Sequence, residues 1–171
     1  MPEIEYVEDS MESEELLERL CPPVRNWFKD KFPDFTEPQK VAIPRILNGE
    51  HLLLCSPTGS GKTLTAFLTI IDDLVRRSLD GSLPDAVQCV YISPIKALAN
   101  DIEKNLLGPL GEIKERYLPS RAKEIKVGLR TGDTPQSERE KMLRKPPHIL
   151  ITTPESMGLG LASKRFRPIL D

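Results

Sequence analysis

At 171 residues, 39% of them hydrophobic and 29% charged, the chain has the size and composition of one globular domain. No apolar run approaches the ~18 residues of a membrane span, and the acidic opening from Met1 to Leu20 has no secretory-signal pattern. The formal net charge of −2 divides into −7 over Met1 to Leu20 and +5 over the rest, so a mildly basic body able to meet phosphates follows an acidic lead-in that reads as a solvated, frayed end.

In chain order, Glu14 to Leu20 reads as a short amphipathic helix stopped near Pro22-Pro23. Val24 to Phe32 sets Val24, Trp27, Phe28 and Phe32 at helical spacing. Thr36 begins a helix that runs to Leu47, with Asn48-Gly49 as a left-handed stop. Four strands are then predicted: Leu52 to Cys55, Gln88 to Ile92, Ile125 to Arg130 and His148 to Thr152. Helices are predicted between them: Lys62 to Leu79, Ile95 to about Leu107 or on to Tyr117, and Gln136 to Arg144. This alternation implies an α/β fold with a parallel sheet flanked by helices.

The three cysteines, Cys21, Cys55 and Cys89, are odd in number and form no C-x-x-C pair, which argues against a metal or disulfide framework. Cys55 and Cys89 sit in apolar runs and read as small buried residues of a reducing compartment. His51 and His148 open apolar runs and read as structural.

Ser or Thr followed by Pro comes after three of the strands, at Ser93-Pro94, Thr134-Pro135 and Thr153-Pro154. Ser or Thr suits an N-cap and Pro the first helical position. Each helix start at the sheet's C-terminal edge would offer unpaired N–H groups to an anion.

The strongest motif is Ser56-Pro57-Thr58-Gly59-Ser60-Gly61-Lys62-Thr63, between a predicted strand and a predicted helix. That is the setting of a phosphate-binding P-loop. Gly59 and Gly61 let the backbone curl so that N–H groups converge on a β-phosphate. Lys62 would reach the β- and γ-phosphates, and the Thr63 hydroxyl would ligate Mg²⁺. The strict pattern has Gly where this chain has Ser56. Hydrolysis also needs a strand ending in Asp-Glu to order the metal and activate water. No predicted strand here ends in a carboxylate, and Asp72-Asp73 falls inside a helix.

Phe35 to Gln39, the P-loop octet, Tyr91 to Asp101, Arg130 to Thr134 and Pro146 to Ser156 together resemble, in order, the large helicase-related (Lhr) family of superfamily 2 helicases. The resemblance covers nearly all of the chain from about Trp27. Ser93-Pro94-Ile95-Lys96-Ala97-Leu98-Ala99-Asn100-Asp101 and Thr152-Thr153-Pro154-Glu155-Ser156 are its most specific strings, and Arg130 to Thr134 favours Lhr over related helicases. Ser56 fits, since this superfamily commonly has Ala or Ser there.

The resemblance implies a P-loop NTPase, RecA-like domain over residues 21–171 behind the lead-in at 1–20, truncated before motif II and the second RecA-like domain. It implies ATP with Mg²⁺, held by Gln39 and by Ser56, Pro57, Thr58, Gly59, Ser60, Gly61, Lys62 and Thr63, with Lys62 and Thr63 as catalytic groups. Gln39 would pair with adenine, although Thr36 to Gln39 also spells a capping box. Phe32 or Phe35 could pack on the base or belong to the core. Motifs Ia and Ib and the Arg-Thr-Gly-Asp-Thr string imply strand contacts from Ser93, Pro94, Lys96, Arg130, Thr131, Thr134, Thr153, Pro154 and Glu155. The partner would be single-stranded or partly duplex DNA, with RNA as the alternative, and the activity 3′-to-5′ helicase or translocase. The remaining helicase domains would lie outside this chain, and the truncated part alone would not hydrolyse ATP. A cytoplasmic protein is implied, nucleoid-associated in a prokaryote, with no membrane partner. A non-catalytic nucleotide- or nucleic-acid-binding module and a P-loop phosphotransferase are the other readings. The motor reading requires Lys62, Ser93, Thr134 and Thr153 to share one rim of the sheet.

Overall fold

The computed structural model describes residues 5–94 and 102–170. The chain folds as two compact units, Met1–Val75 with Lys104–Pro119, and Arg76–Glu103 with Ser120–Asp171.

The first unit holds helices α1 (Ser13–Arg19), α2 (Pro22–Lys31), α3 (Glu37–Leu47), the first fourteen residues of α4 (Lys62–Asp80), and α5 (Gly108–Tyr117), which continues a π-helical turn at Glu103–Leu107. The proline pair stops α1, as expected, and it also supplies the first two positions of α2, where a missing N–H costs nothing. The α2 start is anchored by the buried Asp72, whose Oδ1 accepts from the Cys21 N–H at 2.6 Å. Asp72 therefore caps a neighbouring helix, a structural use that fits its position within α4. Across α2 and α5, the Trp27 indole donates to Glu112 at 2.7 Å and Lys31 joins the same carboxylate at 2.8 Å. Together they hold Glu112 below the usual carboxylate range.

Among the described residues of the acidic lead-in, the stretch from Asp9 to Leu20 is docked rather than frayed. Leu16 and Leu20 are buried, the Met11 N–H donates to Lys40 O at 3.2 Å, and Arg45 pairs with Asp9 at 3.0 Å. Two apolar residues at i and i+4 were enough to dock α1 despite the surrounding carboxylates. Phe35 stacks on Phe28 at 4.0 Å between centroids and is 4% exposed, so it belongs to the core. Gly49 takes the left-handed turn after α3 at φ +78°.

The strand expected at Leu52 to Cys55 joins no ladder among the described residues. The stretch alternates exposed and half-buried as an extended chain does. Leu53 is 84% exposed and Cys55 is exposed rather than buried. Apolar alternation predicts extension, but a ladder also needs a neighbour.

The second unit is a three-stranded parallel sheet of β1 (Cys89–Ile92), β2 (Val127–Arg130) and β3 (Ile149–Thr152), in the order β1-β3-β2. Helices α6 (Gln136–Arg144) and α7 (Pro154–Ala162) precede and follow β3, and a 3₁₀ turn spans Arg167–Ile169. All four β3 residues are buried, as a central parallel strand requires, whereas the flanking strands are largely half-buried. Met142, Leu150 and Phe166 form a core on this unit, with Val90, Met157 and Leu170 against it. Gly128 has no room for a side chain, because a Cβ there would lie 2.8 Å from Pro147 Cγ. The helix expected to begin at Ile95 lies, up to Asp101, outside the described residues. None of the described helices is long and apolar enough to cross a membrane. Cys89 sits half-buried in β1, where burial pushes its thiol up to about 11.

His148 joins the three strands at their entrance. Its carbonyl accepts from Gln88 and Cys89, its N–H donates to Lys126 O, and its Nδ1 accepts from the Lys126 N–H at 2.8 Å. Burial, then the charges of Lys126 and Lys123, lower its pKa from the ordinary 6.5, while Asp85 opposes them. The folded chain thus keeps His148 neutral where the unfolded chain would protonate it. Its contribution is complete above the unfolded value and is lost as pH falls through the folded one. Chemical denaturation at about pH 7 and about pH 5 is expected to show a stability drop that shrinks in His148→Gln.

Candidate functional site

The octet Ser56 to Thr63 forms a tight loop entering α4. Gly59 and Gly61 adopt φ +84° and +87°, the left-handed conformations the motif needs glycine for. The N–H groups of Gly59, Gly61, Lys62 and Thr63 find no acceptor among the described residues. They stand at a helix start, where the backbone carries partial positive charge. The Lys62 ammonium folds back over the loop and donates to the carbonyls of Ser56 and, at 2.7 Å, Pro57. Ser56 and Ser60 share a hydrogen bond between hydroxyls, whereas the Thr63 hydroxyl bonds no described residue.

Gln39 completes a capping box on α3, its Oε1 accepting from the Thr36 N–H at 3.0 Å. It is 2% exposed and lies against the loop: a Cβ on Gly61 would stand 2.7 Å from its Nε2. The Thr36 hydroxyl donates to Ser60 O at 2.8 Å. Thr36 thus reaches the phosphate loop, a contact that its capping role in the sequence gave no signal of.

On the sheet unit, the registers Ile92 to Thr152 and Arg130 to Thr152 place Ser93, Thr131 and Thr153 at one rim. Ser93 extends the ladder by donating its N–H to Thr152 O at 3.1 Å. Thr153 caps α7, its hydroxyl accepting from the Ser156 N–H at 3.3 Å, with Pro154 in the first turn and Glu155 exposed beside it. Pro94 is exposed, and Lys96 lies outside the described residues.

Thr134 is not the helix cap its sequence suggests; the N-cap of α6 is Pro135. The Thr134 hydroxyl is engaged inside the turn, accepting from the Thr131 N–H at 2.8 Å and donating to Leu129 O at 3.2 Å. Arg130 is also engaged inward. Its Nη1 donates to Ser156 O at 2.9 Å, and its guanidinium lies 4.0 Å from the centre of the Phe166 ring. Burial and the nearby charge of Arg139 lower its pKa. Gly160 makes room for this stack, since a Cβ would meet Phe166 at 2.6 Å. Arg139, from a strongly polar helix, binds three carbonyls of the same turn and was missed because nothing in its neighbours marks it.

No group of three or more His, Cys, Asp or Glu able to hold a metal occurs among the described residues. The free hydroxyl of Thr63 and the unpaired N–H groups suit a metal-bound polyphosphate better than a bare cation.

The model of the DEAD/DEAH box helicase family matches residues 36–169. The chain is 47% identical to an ATP-dependent helicase Lhr-Core of Methanocaldococcus jannaschii over 99% of its own length and 20% of the relative's. It is 54% identical to that of Methanothermobacter thermautotrophicus, over 86% of its length and 17% of the relative's. It thus spans about a fifth of the curated relatives it matches. Among solved structures, the Lhr helicase of Mycobacterium smegmatis bound to ssDNA and AMP-PNP superposes with a TM-score of 0.75 at 43% identity, over 90% of this chain and 19% of that one. The resemblance to Lhr and the α/β, RecA-like class read from the motifs are thereby shown.

Gly59 and Gly61 share a positive φ, but only Gly61 faces Gln39. Each Ala substitution is expected to cost about 1 kcal/mol through backbone strain. Gly61→Ala should cost about 1 kcal/mol more, because Gln39 must move. Urea denaturation of the two variants checks this, and equal losses would contradict it.

Proposed function

The chain belongs to the DEAD/DEAH box helicase family, and from that premise we propose that it is the ATP-binding N-terminal part of an ATP-dependent 3′-to-5′ DNA helicase or translocase, RNA being the alternative polynucleotide. The observation that carries the reading is the phosphate loop itself: two left-handed glycines, four N–H groups without acceptors among the described residues, and a lysine at the head of α4.

In this reading the N–H groups of Gly59, Gly61, Lys62 and Thr63 bind the β-phosphate. Lys62 exchanges its two carbonyl partners for phosphate oxygens, a gain because a charge-assisted bond to an anion is stronger than one to a neutral carbonyl. Thr63 would hold Mg²⁺, which would supply positive charge to the triphosphate. Ser56, Pro57, Thr58 and Ser60 shape the loop, and Gln39 contacts adenine.

The strand would lie along the sheet rim at Ser93, Pro94, Thr131, Thr153, Pro154 and Glu155, with Thr134 holding the turn and Lys96, outside the described residues, as a further contact implied by the motif. Contacts there with phosphates position a strand without reading its sequence. Thr153 is 1% exposed and its hydroxyl accepts from the Ser156 N–H, so its part at this rim is to cap the start of α7. In this reading Arg130, bonded to Ser156 O and stacked on Phe166, braces the rim rather than meeting the strand. A cytoplasmic location, nucleoid-associated in a prokaryote, follows from the same reading.

Among the described strands none leads into a carboxylate, since β1, β2 and β3 run into Ser93, Thr131 and Thr153. The 171-residue polypeptide by itself is therefore expected to bind without turnover. Titration with a labelled ATP analogue should give saturable binding that Lys62→Ala weakens about ten-fold or more. Binding to single-stranded oligonucleotides should be weak, salt-sensitive and indifferent to sequence. Lys62-dependent ATP turnover by the purified polypeptide would refute the first expectation, and strong sequence preference the second.

A further inference from the structure

The turn after β2 owes its shape to Arg139. The guanidinium Nε donates to Thr134 O at 2.8 Å, and Nη2 donates to Gly132 O at 2.8 Å and Thr131 O at 3.1 Å. A planar guanidinium can meet several acceptors at once, which a single ammonium cannot do in the same geometry. The peptide bonds are trans, so each N–H points opposite to the carbonyl of its own peptide unit. Drawing the Thr131 and Gly132 carbonyls to Arg139 therefore turns the Gly132 and Asp133 N–H groups away from it. Both residues are exposed, and neither N–H has an acceptor among the described residues. Arg139 itself is half-buried. The Thr134 hydroxyl holds the turn from inside through the Thr131 N–H and Leu129 O.

We propose, resting on the reading of this rim as the strand site, that Arg139 is a positioning residue: it holds three carbonyls on the inner side of the 131–134 turn and so aims the Gly132 and Asp133 N–H groups at a backbone phosphate, without touching the strand itself. Arg130, which leads into the same turn, behaves alike, its guanidinium bound to Ser156 O and stacked on Phe166. Two cations that composition would assign to phosphate are thus committed to carbonyls. The exposed Asp133 carboxylate opposes an anion. The turn therefore supplies orientation rather than net attraction, and losing its shape should cost several-fold in affinity rather than orders of magnitude.

The test is fluorescence anisotropy of a labelled oligothymidylate with the 171-residue chain over a range of salt concentrations. Arg139→Gln is expected to weaken binding about five-fold at every salt concentration, with the slope of log Kd against log salt unchanged. Arg139→Lys keeps the charge but cannot bridge three carbonyls, so it should weaken binding equally. Thr134→Val loosens the same turn without altering Arg139, and circular dichroism confirms that each variant is folded. Its loss should also preserve the slope and should add little to that of Arg139→Gln. A direct phosphate contact predicts instead that Arg139→Gln lowers the slope by about 0.7 and that Arg139→Lys restores binding. Either result, unaltered affinity in Arg139→Gln, or full additivity with Thr134→Val would overturn the positioning role. Should Arg139→Gln not fold, the affinity of Arg139→Lys decides the same question: weakened binding supports the positioning role, and unaltered binding overturns it. An unaltered chain that binds no oligothymidylate would overturn the strand reading, and this proposal with it.

Discussion

The sheet unit depends on one constraint: β3 is buried along its whole length and must pair on both edges. A buried strand with an unpaired edge would leave backbone groups without partners, each at a cost of about 1–3 kcal/mol. Satisfying both edges fixes β1 and β2 in register, with Ile92 and Arg130 both opposite Thr152. The three chain exits then fall in one row, so Ser93, Thr131 and Thr153 become neighbours along a rim although up to sixty residues separate them in sequence. His148 completes the constraint at the other end, where its backbone ties both neighbouring strands before β3 begins.

What the sequence revealed was the local chemistry that has few alternatives. Gly59, Gly61 and Gly49 were legible because a positive φ leaves almost no other residue. Thr153-Pro154 was legible because a hydroxyl cap and a following proline satisfy the helix start without tertiary help. β3 was legible because a continuous apolar run bounded by Pro147 and Pro154 suits a doubly buried strand. The failures were tertiary. Leu52 to Cys55 has the composition of a strand, but strand formation is decided by neighbours, and the stretch pairs with none among the described residues. Thr134 looks like Thr153 in sequence, yet its hydroxyl is taken by Thr131 and Leu129, and the cap passes to Pro135. The lead-in was misjudged because its charge outweighs its two docking leucines in any compositional reading, although burial of those leucines decides the outcome.

The candidate site divides similarly. Residue types that carry a motif are visible in a single sequence, while the residues that orient them are not. Arg130 and Arg139 make this plain. Both are basic residues near a rim that would face phosphates, and net charge treats them alike with Lys96. Their guanidinium groups instead donate to carbonyls at 2.8 to 3.1 Å, one from Arg130 and three from Arg139. In the proposed site a guanidinium so engaged does not make the short-range contact that releases counterions. A basic surplus therefore overstates how many phosphates a surface can hold.

Gln39 posed an apparent choice between capping α3 and contacting adenine, and the geometry makes the two compatible. Oε1 accepts one bond from the Thr36 N–H and keeps a second lone pair. Nε2 retains donors, so the amide could accept from an adenine N6–H and donate to N7 while the capping box stays closed. The same box binds the phosphate loop through Thr36 and Ser60 and leaves Gly61 no room for a side chain. A base held by Gln39 would therefore bear on the loop that holds its phosphates, through atoms already in contact. Guanine presents O6 in place of the N6 donor. It would set two acceptors against each other at Oε1, on a side chain only 2% exposed and so poorly rescued by water. Discrimination between the two purines in the proposed site would then arise from a helix cap that the fold needs in any case.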